Sequence, residues 1–175
     1  MNEQRMEQLL KRAQDQGLDA LALIPGPNLF HLTGLSFHLS ERPVIALILA
    51  DRAPALVLPA LEAEKAAAFD TFAYTDEEGY ALAFHEACAS LELAEARIGV
   101  EAQHMRLFEA RILERYAPDS KLISAEELFA QLRMTKDAAA LEAMRRAVKI
   151  AQEAFSAWLA ELRVGMTEQQ AAARL

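Results

Sequence analysis

Short apolar runs alternate along this chain with stretches whose apolar residues recur every three or four positions, and that alternation most limits the folds open to it. Met6, Leu9, Leu10 and Ala13 fall at helical spacing, with Gly17 placed to stop the helix. Leu18 to Ile24 reads as a buried strand cut off by Pro25-Gly26-Pro27-Asn28. Asn28 to Leu32 is ambiguous, and Thr33-Gly34 opens a loop that runs to Pro43. Val44 to Ala50 and Ala55 to Leu58 flank Asp51-Arg52-Ala53-Pro54, which predicts an antiparallel hairpin without an Asn-Gly turn. Helices are then expected over Leu61 to Phe69, Gly79 to Leu91 and Met105 to Tyr116. Extended pieces are expected over Thr71 to Tyr74, Arg97 to Glu101 and Lys121 to Ile123. The outcome is an α/β fold with a mixed sheet, mixed because of the hairpin.

The pattern changes after Ile123. Ser124 and Glu127 have capping-box spacing and predict a helix to about Arg133. Met134-Thr135-Lys136 is a polar hinge, and a long helix begins at Asp137. Its apolar positions, Leu141, Met144, Val148, Ala151, Phe155, Trp158 and Leu162, form a narrow seam that must lie against something else. Gly165 is expected to end it, and Thr167 with Gln170 to cap a further helix near the last residue. Isolated helices shorter than about 12 residues are marginal in water. The ending therefore reads either as the start of a further domain or as a tail that packs on its own sheet or a second chain. The expected division is residues 1–133 and residues 134–175.

With 53% apolar and 25% charged residues, the chain can bury a core. A net charge of −8 argues against nucleic acid, whose phosphates call for a basic face. Cys88 is the single cysteine, so no disulfide framework exists within the chain, and a reducing compartment fits. The longest apolar run, Val44 to Ala50, is too short for a membrane span, and the polar start shows no secretory signal. A soluble, cytoplasmic domain is the expectation.

Catalytic patterns are scarce. His31, His38, His85 and His104 are scattered, without a His-Glu-x-x-His pair. His31 and His38 would align on a helix, but Gly34 and the loop composition argue against one. Asp76-Glu77-Glu78 precedes a predicted helix, where negative charge complements the dipole. Gly34-Leu35-Ser36-Phe37-His38 falls one glycine short of a nucleophile elbow, and no helix follows it, so Ser36 reads as a loop serine. Cys88 sits among apolar neighbours and reads as a buried thiol. The segment His31 to Pro43 stands out, with Phe37, two imidazoles and Arg42 on one long loop. Either it contacts a ligand, or Phe37 folds under and Glu41-Arg42 face water.

The order of elements and several short stretches resemble the N-terminal part of creatinase, prolidase and Xaa-Pro aminopeptidase proteins. The stretches are Leu18-Asp19-Ala20-Leu21, Pro27-Asn28-Leu29-Phe30-His31-Leu32-Thr33-Gly34, Glu41-Arg42-Pro43, Ile98-Gly99-Val100-Glu101, and Leu132-Arg133 with Lys136. Ala147 to Ala154 and Gly165-Met166-Thr167-Glu168 look like the family's entry into its catalytic domain. The resemblance implies a ribonuclease-H-like mixed sheet with helices on both faces, followed by a long C-terminal helix that opens a "pita-bread" catalytic domain. In the family that domain holds two divalent metal ions, manganese or cobalt, on ligands beyond the position of Leu175, so this chain is expected to carry no catalytic residue and no metal. Such a metal pair suits the bond before proline, a tertiary amide that needs an activated hydroxide and a polarised carbonyl. The implied role is a non-catalytic domain that supports a homodimer and lends a loop to gate the partner's site for proline-containing peptides. Phe37 would be an apolar wall of that gate, with His38 and Arg42 facing substrate. The chain departs from the family pattern at His31, Leu35 and Ala140; the last removes a polar contact expected at the domain junction. A self-contained homodimerising module, or a relative with creatinase-like or lost activity, is the alternative.

Overall fold

A computed structural model describes residues 3–174. The chain divides into two compact units between Leu132 and Arg133.

The first unit is built on a six-stranded sheet in the order β4-β3-β2-β1-β5-β6. The strands are β1 (Ala20–Leu23), β2 (Ile45–Ile48), β3 (Ala55–Pro59), β4 (Asp70–Tyr74), β5 (Arg97–Val100) and β6 (Lys121–Ser124). The hairpin β2–β3 forms as expected, pairing Ile45 with Val57 and Leu47 with Ala55, and β2 also pairs antiparallel with β1. The other neighbours are parallel, so the sheet is mixed. β1, β2 and β3 bury every residue, which explains why they read as continuous apolar runs rather than alternations.

Alternate residues of these strands feed two cores. On one face Ala22, Ile45, Leu47 and Val57 meet Phe84 and Cys88 of α3 (Ala81–Ser90) and Ile112 and Leu113 of α4 (Leu107–Tyr116). On the other, Leu21, Leu23, Ile48 and Leu56 meet Leu9 of α1 (Glu3–Asp15), Leu29 and Leu32 of α2 (Pro27–Thr33), and Leu128 and Phe129 of α5 (Glu126–Met134). Each fully buried leucine contributes about 1.5–3 kcal/mol. Helices therefore cover both faces. α1 ends as expected at Gly17 (φ 68°), where Leu18 N–H donates to Ala13 and Gly17 N–H to Gln14 in a Schellman motif.

Some expectations are corrected. The ambiguous stretch after Pro25 is helix α2, started by Pro27 in its first turn and stopped by Gly34 in the left-handed conformation. The segment after β3 is a 3-10 helix, Ala60–Ala66. Ser124 does not cap α5: it stays in β6 opposite Val100, the Ala125 carbonyl starts the helix, and Glu127 accepts instead from Gln131.

In the second unit, α6 (Ala138–Glu161) is capped by Asp137, whose carboxylate accepts from the Ala140 N–H at 2.7 Å. α6 ends before Gly165, at Leu162, and Gly165 takes φ 92° in the turn that follows. α7 (Glu168–Ala172) carries the full capping box of Thr167 and Gln170. Trp158 Nε1–H donates to the Ala171 carbonyl at 2.7 Å and so ties α7 back onto α6. α6 buries none of its residues, and Leu141, Met144, Val148 and Phe155 are exposed along the seam. Among the described residues, no helix is long and apolar enough to cross a membrane.

Candidate functional site: a loop held at the carboxyl edge of the sheet

β1, β3, β4, β5 and β6 point one way and β2 the other. The loop Gly34–Pro43 enters β2, so it lies on the edge where the other five strands end. In open α/β sheets that edge is where ligands meet loops.

The loop is fastened along its length. Thr33 Oγ1 donates to the Leu29 carbonyl at 2.7 Å and accepts from the Leu35 N–H at 3.0 Å. Phe37 is turned inward, 9% exposed, within the core that holds Leu29 and Leu58, and Lys65 Nζ lies 6.0 Å from its ring centre. Arg106 Nη1–H donates to the Ser40 carbonyl at 2.7 Å. Arg42 forks onto Asp76, just past β4, with Nε–Oδ1 at 2.8 Å and Nη2–Oδ2 at 2.6 Å, and Glu41 lies 3.3 Å from Nη1. That pairing holds the Asp76 carboxyl below its usual range and raises the Arg42 guanidinium. Tyr74 O–H donates to the Pro43 carbonyl at 2.9 Å, closing the loop onto β4.

Of the three residues predicted for a gate, the structure therefore places His38 in solvent, Phe37 in the core and Arg42 on Asp76. They do not converge on a common point. Asp76, read from sequence as a partner for a helix dipole, is the anchor of Arg42; no local spacing announces a pair 34 residues apart.

At the same edge lies a buried polar cluster that the sequence reading did not single out. Glu101, just past β5, is 1% exposed; its Oε1 accepts from Asn28 Nδ2–H at 2.7 Å and its Oε2 from the Ile24 N–H at 3.1 Å. Burial pushes the Glu101 carboxyl above its ordinary value, against those two hydrogen bonds. Asn28 Oδ1 is buried without a partner. The cluster ties the end of β1 and the start of α2 to the end of β5. The available signal was Glu101 standing directly after the strand that ends at Val100.

Other candidates resolve simply. His31 lies in α2 and His38 on the loop, so no helix aligns them. Ser36 stands on irregular chain with no helix behind it. Cys88 is buried, and burial pushes its thiol up to about 11. A cleft of about 570 Å³ opens at the opposite edge of the sheet, where Arg52 is already occupied by Asp51 and the Ser90 carbonyl. Among the described residues no three His, Cys, Asp or Glu side chains converge on a point that could hold a metal ion.

The fold is that of a mixed-sheet α/β domain with a fastened edge loop, and comparison with known proteins assigns it further. The family model of the creatinase/prolidase N-terminal domain matches residues 5–135, and the chain belongs to that family. It is 27% identical over 98% of its length to the putative dipeptidase YkvY of Bacillus subtilis (strain 168), and spans 48% of that relative. A dipeptidase structure from Pyrococcus horikoshii OT3 superposes with TM-score 0.86 at 26% identity, over 97% of this chain and 48% of that one. A proline dipeptidase structure from Streptococcus pneumoniae shares the fold with TM-score 0.67 at 23% identity; there 75% of this chain accounts for 98% of the other. The chain thus spans about half the length of the first two relatives.

Proposed function

We propose that this chain is the non-catalytic N-terminal part of a longer, cytoplasmic Xaa-Pro metallopeptidase, working in homodimer formation and substrate gating. The observation that carries the reading is the family match over residues 5–135 together with two dipeptidase relatives of which this chain spans about half. In this reading the reaction belongs to a second half that holds two divalent ions, manganese or cobalt. Loop 34–43 then stands at the partner's site as a wall that limits peptide length. His38 is the group of the loop offered to the peptide carboxylate, and Arg42 contributes once its fork on Asp76 opens. The long apolar seam of α6 supports the homodimer reading, since Met144, Val148 and Phe155 stand more than half or half exposed at 52%, 54% and 50%.

The test compares this chain with the product of the longer reading frame. The longer protein is expected to release proline from Xaa-Pro dipeptides with manganese, and residues 1–175 alone to release none. Manganese-dependent proline release by the short chain overturns the reading. Light scattering at micromolar concentration is expected to show a dimer, and a monodisperse monomer removes the dimer role.

A further inference from the structure

The gate reading leaves open what sets the shape of the loop, and one hold on it comes from Arg106, a residue 66 positions further along the chain than Ser40. Arg106 caps the start of α4 with extended backbone (φ −71°, ψ 155°), and its guanidinium is fixed on three sides. Glu109, one turn into the helix and fully buried, accepts from Nε–H at 2.8 Å and 3.0 Å and also from Nη2–H. The Phe108 ring, packed edge-on against Tyr80, lies 5.8 Å below the guanidinium carbon. The remaining Nη1–H points at the Ser40 carbonyl, 66 residues away in sequence. A buried carboxylate with one cationic partner cannot release it cheaply, so the cation is held in place whether or not the loop is there. The donor is thus preorganised, and the loop docks onto it.

We infer that Arg106 is the positioning residue of loop 34–43, presented by Glu109 and Phe108 to hold Ser40 and thereby to fix where His38 stands. The assignment rests on the gate reading for its functional consequence, but not for the latch itself. It gives the loop, exposed at His38 and Leu39, a further attachment between Phe37 and Arg42. Arg42 on Asp76 and Arg106 on Ser40 thus hold the loop from two different elements, each through a partly exposed guanidinium.

The test is hydrogen exchange on the 175-residue chain. Arg106→Gln combined with Glu109→Gln removes the guanidinium without stranding a buried charge, so the fold is retained. Exchange of the Arg42 amide, which donates to Ser40 Oγ at 3.2 Å, is expected to quicken by about tenfold or more once Ser40 is released, while α3 and β1 amides keep their rates. Arg106→Lys, which cannot both fork on Glu109 and reach Ser40, is expected to quicken the same amide and nothing else. Leu107→Ala, on the exposed neighbour, is the control and leaves it unchanged. Exchange of that amide within twofold of the parent in both Arg106 variants overturns the latch. In the longer protein the same variants are expected to shift KM for tripeptides relative to dipeptides with kcat retained. Quickened loop exchange with no shift in peptide length preference upholds the latch and overturns the gate reading instead.

Discussion

Replacing Glu101 tests the buried cluster at the carboxyl edge most directly. Its carboxylate serves two buried donors, the Ile24 N–H and Asn28 Nδ2–H. Glu101→Ala strands both, and each unsatisfied buried donor costs about 1–3 kcal/mol, so the loss is about 2–6 kcal/mol. Glu101→Gln is different because of the orphaned Asn28 Oδ1. If the Asn28 amide turns over, the amide N–H introduced by Glu101→Gln donates to that oxygen, while the oxygen of the same new amide still accepts from Ile24. The turned Asn28 Nδ2 then takes the place of the orphaned oxygen, so one buried amide group is left short of an acceptor, and the variant is expected to lose about 1–3 kcal/mol at pH 7, less than Glu101→Ala. The pH profile carries the second half of the test. Burial raises the folded carboxyl above its unfolded value, so between those two values the folded state binds more protons. The contribution of Glu101 is complete below the ordinary carboxylate range and is lost as pH rises through the raised folded value. Urea unfolding followed by far-UV circular dichroism from pH 4 to pH 8 is the assay. Glu101→Gln is expected to flatten the decline in that interval. If Glu101→Gln proves as destabilising as Glu101→Ala, with the decline retained, the exchange of partners is refuted.

Two further outcomes follow from the packing. A methyl group added at Gly99 would stand 2.7 Å from Leu21 Cδ2, 2.8 Å from Leu18 Cδ1 and 3.1 Å from Ala125 Cβ. The leucines are buried and the alanine cannot rotate away, so Gly99→Ala is expected to destabilise by about 1–3 kcal/mol in urea unfolding. An unchanged midpoint shows that the strand yields. For Cys88, a thiol pushed up to about 11 is protonated at pH 8, so alkylation of the native chain is expected to be slow and to reach the free-thiol rate only in denaturant. Rapid native labelling shows instead that α3 opens locally.

The inner strands of the sheet were legible because burial on both sides leaves a direct mark, β1, β2 and β3 being unbroken apolar runs, although such runs do not say which residue faces which core. α6 and α7 were legible for a similar local reason, with Asp137 and the Thr167–Gln170 pair sitting within three residues of the groups they cap. Residue type marks Glu101, Asn28, Arg106 and Asp76 as polar, but nothing in the sequence places them at one edge of the sheet. Their pairings were decided only by tertiary structure. Arg42 meets Asp76, Glu101 meets Asn28 and Arg106 meets Ser40 across 34, 73 and 66 residues, where no periodicity of helix or strand relates them. Phe37 could have faced solvent or core by its sequence alone; the register of the loop over the core of α2 and β3 turned it inward. A local pattern determines which surfaces a segment can bury, and only the folded sheet brings its strand ends together so that distant charges find one another.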